Sequence, residues 1–483
     1  MTQRRAEGRT PNTVSRIATA GLLALAALTV RPAQADAQLK TVQTKYYVLH
    51  TDLDIDGVRE AYIRIDAMAE EYHRRTRGFG GAIRKKLSFY LFKDRMDYYR
   101  AGGIPGSAGV FMRRGNDAKL MAIAGEKTSA RTWQVVQHEG FHQFAHFVIG
   151  GRIPVWVDEG LAEYFGEGLF TGDNLVVGVV PPDRLARLKR EIKQKVCKPL
   201  REMMEMSHKE WNGELAIANY DQGWSMIHFL VHAEDGKYVG ALGKFISDIG
   251  RGQRYVNAWV RHFGRDIDAF QKKWQEYWLA QPANPTRDVY TQAVVATCTS
   301  YFARAYSRKQ TFEDAEAFFK AAQAGDLKRH QLDWLPADLL SRALAAAPKA
   351  GTWAVETPEN RTPLLVCTTA DGTRITGAFV VKLGRVTHVE CKVTPKGEAV
   401  TQPASRPAPT TRPAKKPKPS PRTRPTTRRR PKVEPVTAAI KLANAYVSIG
   451  QTDKARKALE KALKEHPDSP NAPAARKFLN DLK

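Results

Sequence analysis

The chain has 483 residues, with 76 lysines and arginines against 50 aspartates and glutamates, a formal net charge of +26 at pH 7. That length implies two to three domains. The four cysteines, Cys197, Cys298, Cys367 and Cys391, show no C-x-x-C spacing, which argues against a thiolate metal site and leaves a cysteine-protease reading without support.

Residues 1–35 read as an export signal. Arg4, Arg5, Arg9 and Arg16 precede the apolar run "IATAGLLALAALTV", and "AQA" stands ahead of Asp36. A basic region, an apolar region and a small-residue site in that order predict cleavage near Ala35-Asp36. The run is too short to span a bilayer, and no other long apolar stretch follows. The mature chain is therefore expected outside the cytoplasm, in the periplasm, the cell envelope or the medium, with no transmembrane segment. Nucleic acid is a poor partner for an exported chain.

A first domain is read over 42–282. Short runs of apolar, β-branched and aromatic residues predict strands at 44–52 and 85–94. Between them, 56–80 is amphipathic, helix-length and closed by glycine. Two more strands, 108–114 and 118–125, are separated by the turn residues Gly115, Asn116 and Asp117.

The chemistry concentrates in "WQVVQHEGFHQFAHF", residues 133–147. Apolar residues at three-to-four spacing predict a helix that ends at Gly150-Gly151. His138 and His142, four apart, lie on one face and can aim both imidazoles at a single ion. Glu139 follows the first ligand, so its carboxylate can reach a water beside that ion. Gly140 inside the helix costs about 1 kcal/mol relative to alanine. His146 lies about 12 Å along the axis from His138 and cannot share an ion whose bonds to nitrogen are about 2.0–2.1 Å. It reads as a packed or solvated helix residue. A second helix is predicted over 153–164, begun by Pro154 and Asp158 and folded back by the glycine turn. Glu159 there can complete a site of two histidines and one glutamate. Glu163, one turn on, is placed to hydrogen-bond a ligand imidazole, or else to lie on the surface.

These stretches, "HEGFH" followed by "WVDEGLAEYF", resemble the gluzincin metallopeptidases, and the chain looks most like secreted bacterial proteins with a peptidase-MA-like domain. The resemblance covers about 42–282. It implies His138, His142 and Glu159 as ligands of one zinc ion and Glu139 as catalytic base. It also implies a mixed sheet leading into the zinc helix, then a helical lobe. The strand at 119–124 is expected to be an edge beside the cleft, able to pair with an extended peptide substrate. Gluzincins stabilise the developing oxyanion with a Tyr or His from the helical lobe. In "NYDQGWSMIHFLVH", 219–232, Tyr220 is the first candidate and His228 the second. The G-x-M-x-N segment of the aminopeptidases has no clear counterpart.

Residues 287–398 read as a small accessory α+β module: a helical half over 291–348, then strands at 363–369, 373–383 and 386–393. Cys367 and Cys391 either bridge two strands of that sheet or remain lone buried thiols. Residues 399–435 are a Pro-, Thr-, Lys- and Arg-rich linker. The part from 401 carries eleven basic side chains and one acidic. It cannot bury a core and is expected to be extended and disordered, serving as a spacer or touching an anionic envelope surface. Finally, Leu442, Ala443, Tyr446, Gly450, Ala455, Leu459, Ala462 and Pro467 stand in the register of a tetratricopeptide repeat within 436–483. A single repeat either caps the chain or docks on a protein partner.

The whole is expected to be α+β, with a thermolysin-like catalytic domain, the accessory module, the linker and a helical tail. The expected function is an exported zinc metallopeptidase acting on a peptide or protein. The alternative is a non-catalytic envelope binding or scaffold protein that keeps the same fold.

Overall fold

A computed structural model describes residues 39–397, apart from 115–116, 151–152, 332 and 360, together with Val436, Ala439, Ala443 and residues 452–481. The segment expected to be an export signal, the whole 399–435 linker and most of the first helix of the repeat lie outside the described residues. The chain divides into two compact units, Met1–Pro403 and Ala404–Lys483. Among the described residues no helix is long and apolar enough to cross a membrane.

The first unit is mixed α/β. Its N-terminal part is a five-stranded sheet built from β1 (Lys40–Gln43), β2 (Tyr47–Thr51), β3 (Leu87–Phe92), β4 (Gly109–Arg114) and β5 (Asp117–Ile123), in the order β1-β2-β3-β5-β4. β2, β3 and β5 run parallel, and the two outer strands are antiparallel to their neighbours. Alternation along β2 and β3 sends Tyr47, Leu49, Phe89 and Leu91 into the core. The crossover helix α1 (Ile55–Thr76) starts where the Asp54 carboxylate accepts the Gly57 N–H at 2.7 Å. It buries Ala61, Ile65, Met68 and Tyr72 in the same core. A short α2 (Arg95–Arg100) precedes β4.

The strand order corrects one expectation. The strand at 119–124 is not an edge: β5 sits between β3 and β4, and the free edge belongs to β4. The hairpin folds back outward: β5 takes the place beside β3 in parallel and leaves β4 the outer side.

Helix α3 (Ala130–Phe144) follows, with Ser129 and Thr132 forming a reciprocal cap at its start. One face buries Trp133, Val136, Phe141 and Phe144; the other carries His138, Glu139 and His142. Past Phe144 the helix widens into a π turn over Ala145–Ile149 and stops at Gly150, whose φ is 68°. Helix α4 (Val155–Gly166) returns alongside it. Apolar nearly all round, α4 buries Trp156, Val157, Leu161 and Phe165.

A two-stranded ribbon, β6 (Leu169–Phe170) and β7 (Leu175–Val176), leads to a helical lobe. Its members are α5 (Pro182–Lys193), α6 (Leu200–Glu205), α7 (His208–Trp211), α8 (Ala216–His232), α9 (Val239–Gly250), α10 (Tyr255–Phe263) and α11 (Ile267–Ala280). Helices α4 and α8 meet at Gly160. A Cβ there would stand 2.6 Å from the Gly223 carbonyl oxygen and 2.7 Å from Ile227 Cγ1.

Residues 287–397 add α12 (Arg287–Ser307), α13 (Ala315–Ala324) and α14 (Ala337–Ala350) against a sheet of β8 (Thr352–Glu356), β9 (Leu364–Thr368), β10 (Arg374–Lys382) and β11 (Arg385–Thr394). The sheet has four strands rather than three. β8, half-exposed and following directly on α14, gives little alternation to read. Tyr301, Leu335 and Leu339 join the main core, so this part packs on the body. β10 lies between β9 and β11. Strands two apart are about 9–10 Å distant, beyond disulfide reach. Cys367 and Cys391 are accordingly free thiols, as are Cys197 and Cys298.

The second unit contains helices Thr452–Glu465 and Ala472–Asp481. Leu459, Ala462 and Ala475 share a small core with Val436, Ala439 and Ala443.

Replacing Gly160 by alanine drives a methyl group into the α8 backbone. We expect Gly160→Ala to lose about 1–3 kcal/mol of stability, read as an earlier denaturant midpoint; an unchanged midpoint would show that α4 and α8 can separate freely.

Candidate metal centre

Helices α3 and α4 carry the polar cluster between them. His138 and His142 project from α3 with their Nε2 atoms 3.2 Å apart. Glu159 Oε2, from α4, stands 3.5 Å from each. Each imidazole is held from behind. His138 Nδ1 lies 3.0 Å from Glu163 Oε1, and His142 Nδ1 lies 3.1 Å from Asp158 Oδ2.

This arrangement decides the tautomers. A carboxylate accepts, so both Nδ1 atoms donate, and both Nε2 atoms turn lone pairs toward one another. Glu159 Oε2 is buried with no hydrogen-bond partner and faces the same point. Three lone-pair donors converging in a low-dielectric site need positive charge among them. Three ligands about 2.1 Å from a tetrahedral ion stand about 3.4 Å apart, the size of this triangle. Among the described residues these three are the group whose donor atoms come close enough to hold one metal ion.

Where no ion supplies that positive charge, a proton does. Burial opposes a proton on His138, but the neighbouring Glu159 and Glu163 outweigh that and raise its pKa to about 9. His142, also disfavoured by burial, is raised well above the usual value by Asp158 and Glu159. Burial would raise Glu163, yet Arg184 and His138 hold it down at about 2. Glu159, likewise against burial, is lowered by both histidines.

Behind the cluster lies Arg184 of α5, with a side chain only 8% exposed. Its guanidinium bonds Glu163 at 2.6 Å, Glu167 at 2.9 Å and Asp221 at 2.8 Å, and donates to the Tyr220 carbonyl at 3.3 Å. The Trp224 ring packs over it, 4.6 Å from its centroid. One cation thus ties α4, α5 and α8 together.

The cluster opens on a cleft of about 1360 Å³ between edge strand β4 and the helical lobe. Glu139 lines it beside the ligand triangle. Its Oε2 accepts the Phe111 N–H of β4 at 2.8 Å, so the edge strand orients the carboxylate. Tyr220, on α8, faces the same cleft, its ring 6.3 Å from that of His138 and its hydroxyl donating to Asn212 Oδ1 at 3.1 Å. Burial, then the charges of Glu159, Glu163 and Glu139, push its pKa up, so it keeps its proton.

His228 is not in the cleft. Two turns further along α8 it is buried beside His232, Tyr164 and Trp278, with Nε2 3.2 Å from the Gly178 carbonyl. It cannot serve as an oxyanion donor. His146 lines the cleft but packs against Phe111 and Phe147, away from the ligand triangle. Sequence reasoning placed Asp158 only at a helix start and did not single out Arg184. The signal for Asp158 was its place directly before Glu159; Arg184 lies in an ordinary amphipathic helix and offered none.

Residues 133–250 match a family described as "Protein of unknown function (DUF1570)", and residues 436–479 match a tetratricopeptide repeat. No curated protein and no solved structure matches the chain. The first match spans α3 to α9 and so contains the whole ligand triangle, its backing carboxylates, Arg184 and Tyr220. The second shows a repeat of a type associated with protein–protein interaction.

The buried histidine pair makes stability pH-dependent. Burial, with His232 and Arg75 adding to it, holds His228 down at about 3; burial and Arg75 hold His232 at about 4. Unfolded, both titrate near 6.5. The contribution of this pair is therefore complete above about pH 6.5 and is lost as pH falls toward 4 and 3, because the unfolded chain takes protons these rings refuse in the native one. At pH 5 each ring costs about 2 kcal/mol. Unfolding midpoints at pH 7 and 5 should show His228→Leu losing about that much less on acidification than the wild type.

Proposed function

We propose that the chain is an exported zinc metallopeptidase of gluzincin type that hydrolyses peptide bonds in a peptide or protein substrate. One observation carries this reading: three metal-ligating atoms converge on one point of an open cleft, with a carboxylate that is not a ligand, Glu139, beside them. A purely structural metal site is closed by protein ligands, whereas a catalytic one keeps three and leaves a face open. The consecutive helices carrying H-E-x-x-H and the later glutamate support the thermolysin-like assignment.

His138 and His142 would hold the ion through Nε2, and Glu159 through Oε2. Bound there, zinc supplies a Lewis acid that acidifies water and polarises a carbonyl. Glu139 takes the proton of the attacking water. Its Oε2 is committed to Phe111, which leaves Oε1 to accept that proton and later return it to the departing amine. The Tyr220 hydroxyl, on the opposite wall, would turn its one hydrogen from Asn212 Oδ1 to the oxyanion that forms on the carbonyl. Glu163 and Asp158 keep both imidazoles in the tautomer that presents Nε2.

The tetratricopeptide repeat favours a protein-binding role for the C-terminal unit, and the basic 401–435 segment suits contact with an anionic envelope surface. Those features alone would also serve a non-catalytic scaffold. Glu139 separates the two readings, because a scaffold needs no base at that position.

Cleavage of a mixed peptide pool by the zinc-loaded chain tests the proposal. Glu139→Gln should keep its zinc and lose about 10²–10⁴-fold in rate. Tyr220→Phe should lower kcat by about 10²–10³-fold with little change in KM, and His142→Ala should lose the metal with the fold intact. A wild-type chain that holds one zinc and cuts nothing in the pool would overturn the peptidase reading; a His142→Ala chain with unchanged metal content would overturn the ligand assignment.

A further inference from the structure

On the other side of α3 lies a second pocket of about 520 Å³, between the first turns of that helix, the 166–170 segment and helices α12 and α14. Most of its lining is apolar, with Trp133, Phe170, Val294 and Leu339 among it. This size suits a small ligand.

Its distinguishing feature is Arg64. The side chain is only 10% exposed. It is packed against the Trp133 and Phe170 rings, 5.0 Å and 4.5 Å from their centroids. Its Nε donates to Glu60 Oε1 at 2.7 Å. The two terminal nitrogens have no protein acceptor among the described residues. They are the fork end of the guanidinium, the geometry that grips a carboxylate or phosphate with two parallel bonds.

Glu60 is already shared. The same Oε1 accepts the Trp133 indole N–H at 3.1 Å, and Oε2 accepts the Thr128 hydroxyl. Burial pulls the Arg64 pKa down, and Glu60 offsets this only in part. Arg131 and Arg342 also line the pocket, the first bonded to the neutral Gln134 and the second to the exposed Asp338. The one carboxylate in the lining, Glu167, is committed to Arg184. Three guanidiniums therefore face an apolar space without a free anion in it.

The geometry points to a binding site for an amphiphilic oxyanion, a carboxylate or phosphate ester on an apolar chain, with the headgroup on the Arg64 fork and the chain against the apolar wall. Gln134 and Glu167 line this pocket and connect through Arg184 and Glu163 to His138. The site is separate from the cleft and does not depend on peptidase activity.

Titration calorimetry on the full chain tests it, with decanoate and decyl phosphate as probes below their micelle concentrations and decanol and inorganic phosphate as controls. We expect one of the two amphiphiles, or both, to bind one-to-one and at least tenfold more tightly than either control; which one binds identifies the headgroup. Arg64→Lys keeps the charge but not the fork and should weaken binding at least tenfold. Arg342→Met, at an exposed rim position where folding is not at stake, should weaken it several-fold. Absence of saturable binding by both amphiphiles would overturn the site, as would decanol binding equally well. So would affinity that neither substitution changes.

Discussion

A buried guanidinium needs partners, and Arg184 takes its partners from two helices, α4 and α8, whose polar ends it ties together. Its bonds reach Glu163 and Glu167 at the end of α4, and Asp221 with the Tyr220 carbonyl near the start of α8. Arg187 adds a second cation on Asp221. Removing one member of such a group leaves an uncompensated charge in low dielectric, so the whole set is held together more firmly than any one pair. Through Glu163 that rigidity reaches His138, and through the α8 backbone it reaches Tyr220.

The second constraint is steric. Two helices approach as closely as Gly160 and Gly223 allow, and this brings a wall of the cleft over the ligand triangle. On the other side Gly140 lets Met68 of α1 lie against α3; a Cβ there would meet Met68 Cε at 2.8 Å. With α4 seated on α8 and α3 on α1, His138 meets Glu163 and His142 meets Asp158 across the α3–α4 pair.

The site draws on both halves of the first unit. The sheet contributes the backbone N–H of Phe111, which orients Glu139; the helical lobe contributes Tyr220 and Arg184, which holds Glu163. In the proposed reaction the base and the oxyanion donor therefore come from opposite walls, as attack on a bound carbonyl requires. The large positive charge of the chain does not reside in this cleft. Part of it belongs to the 401–435 segment, which carries eleven basic residues.

How much was legible in advance follows from the range of each interaction. The H-E-x-x-H spacing, the helix caps and the return helix are local: 3.6-residue periodicity puts His138 beside His142, and Glu163 one turn above Glu159. The strands were legible from their alternation, but not their order, since the pairing of β5 with β3 is a long-range choice that a short hairpin cannot reveal. Tyr220, the first candidate, and His228, the second, both stand along α8; only the packing of that helix turns one into the cleft and the other into the core. Asp158 became a partner of His142, and Arg184 the tie between helices, through crossing geometry. The sequence by itself determined which side chains share a helix face, because that depends on the backbone repeat alone. Which faces meet was decided by the tertiary structure, because packing is settled by side chains tens of residues apart competing for the same buried volume.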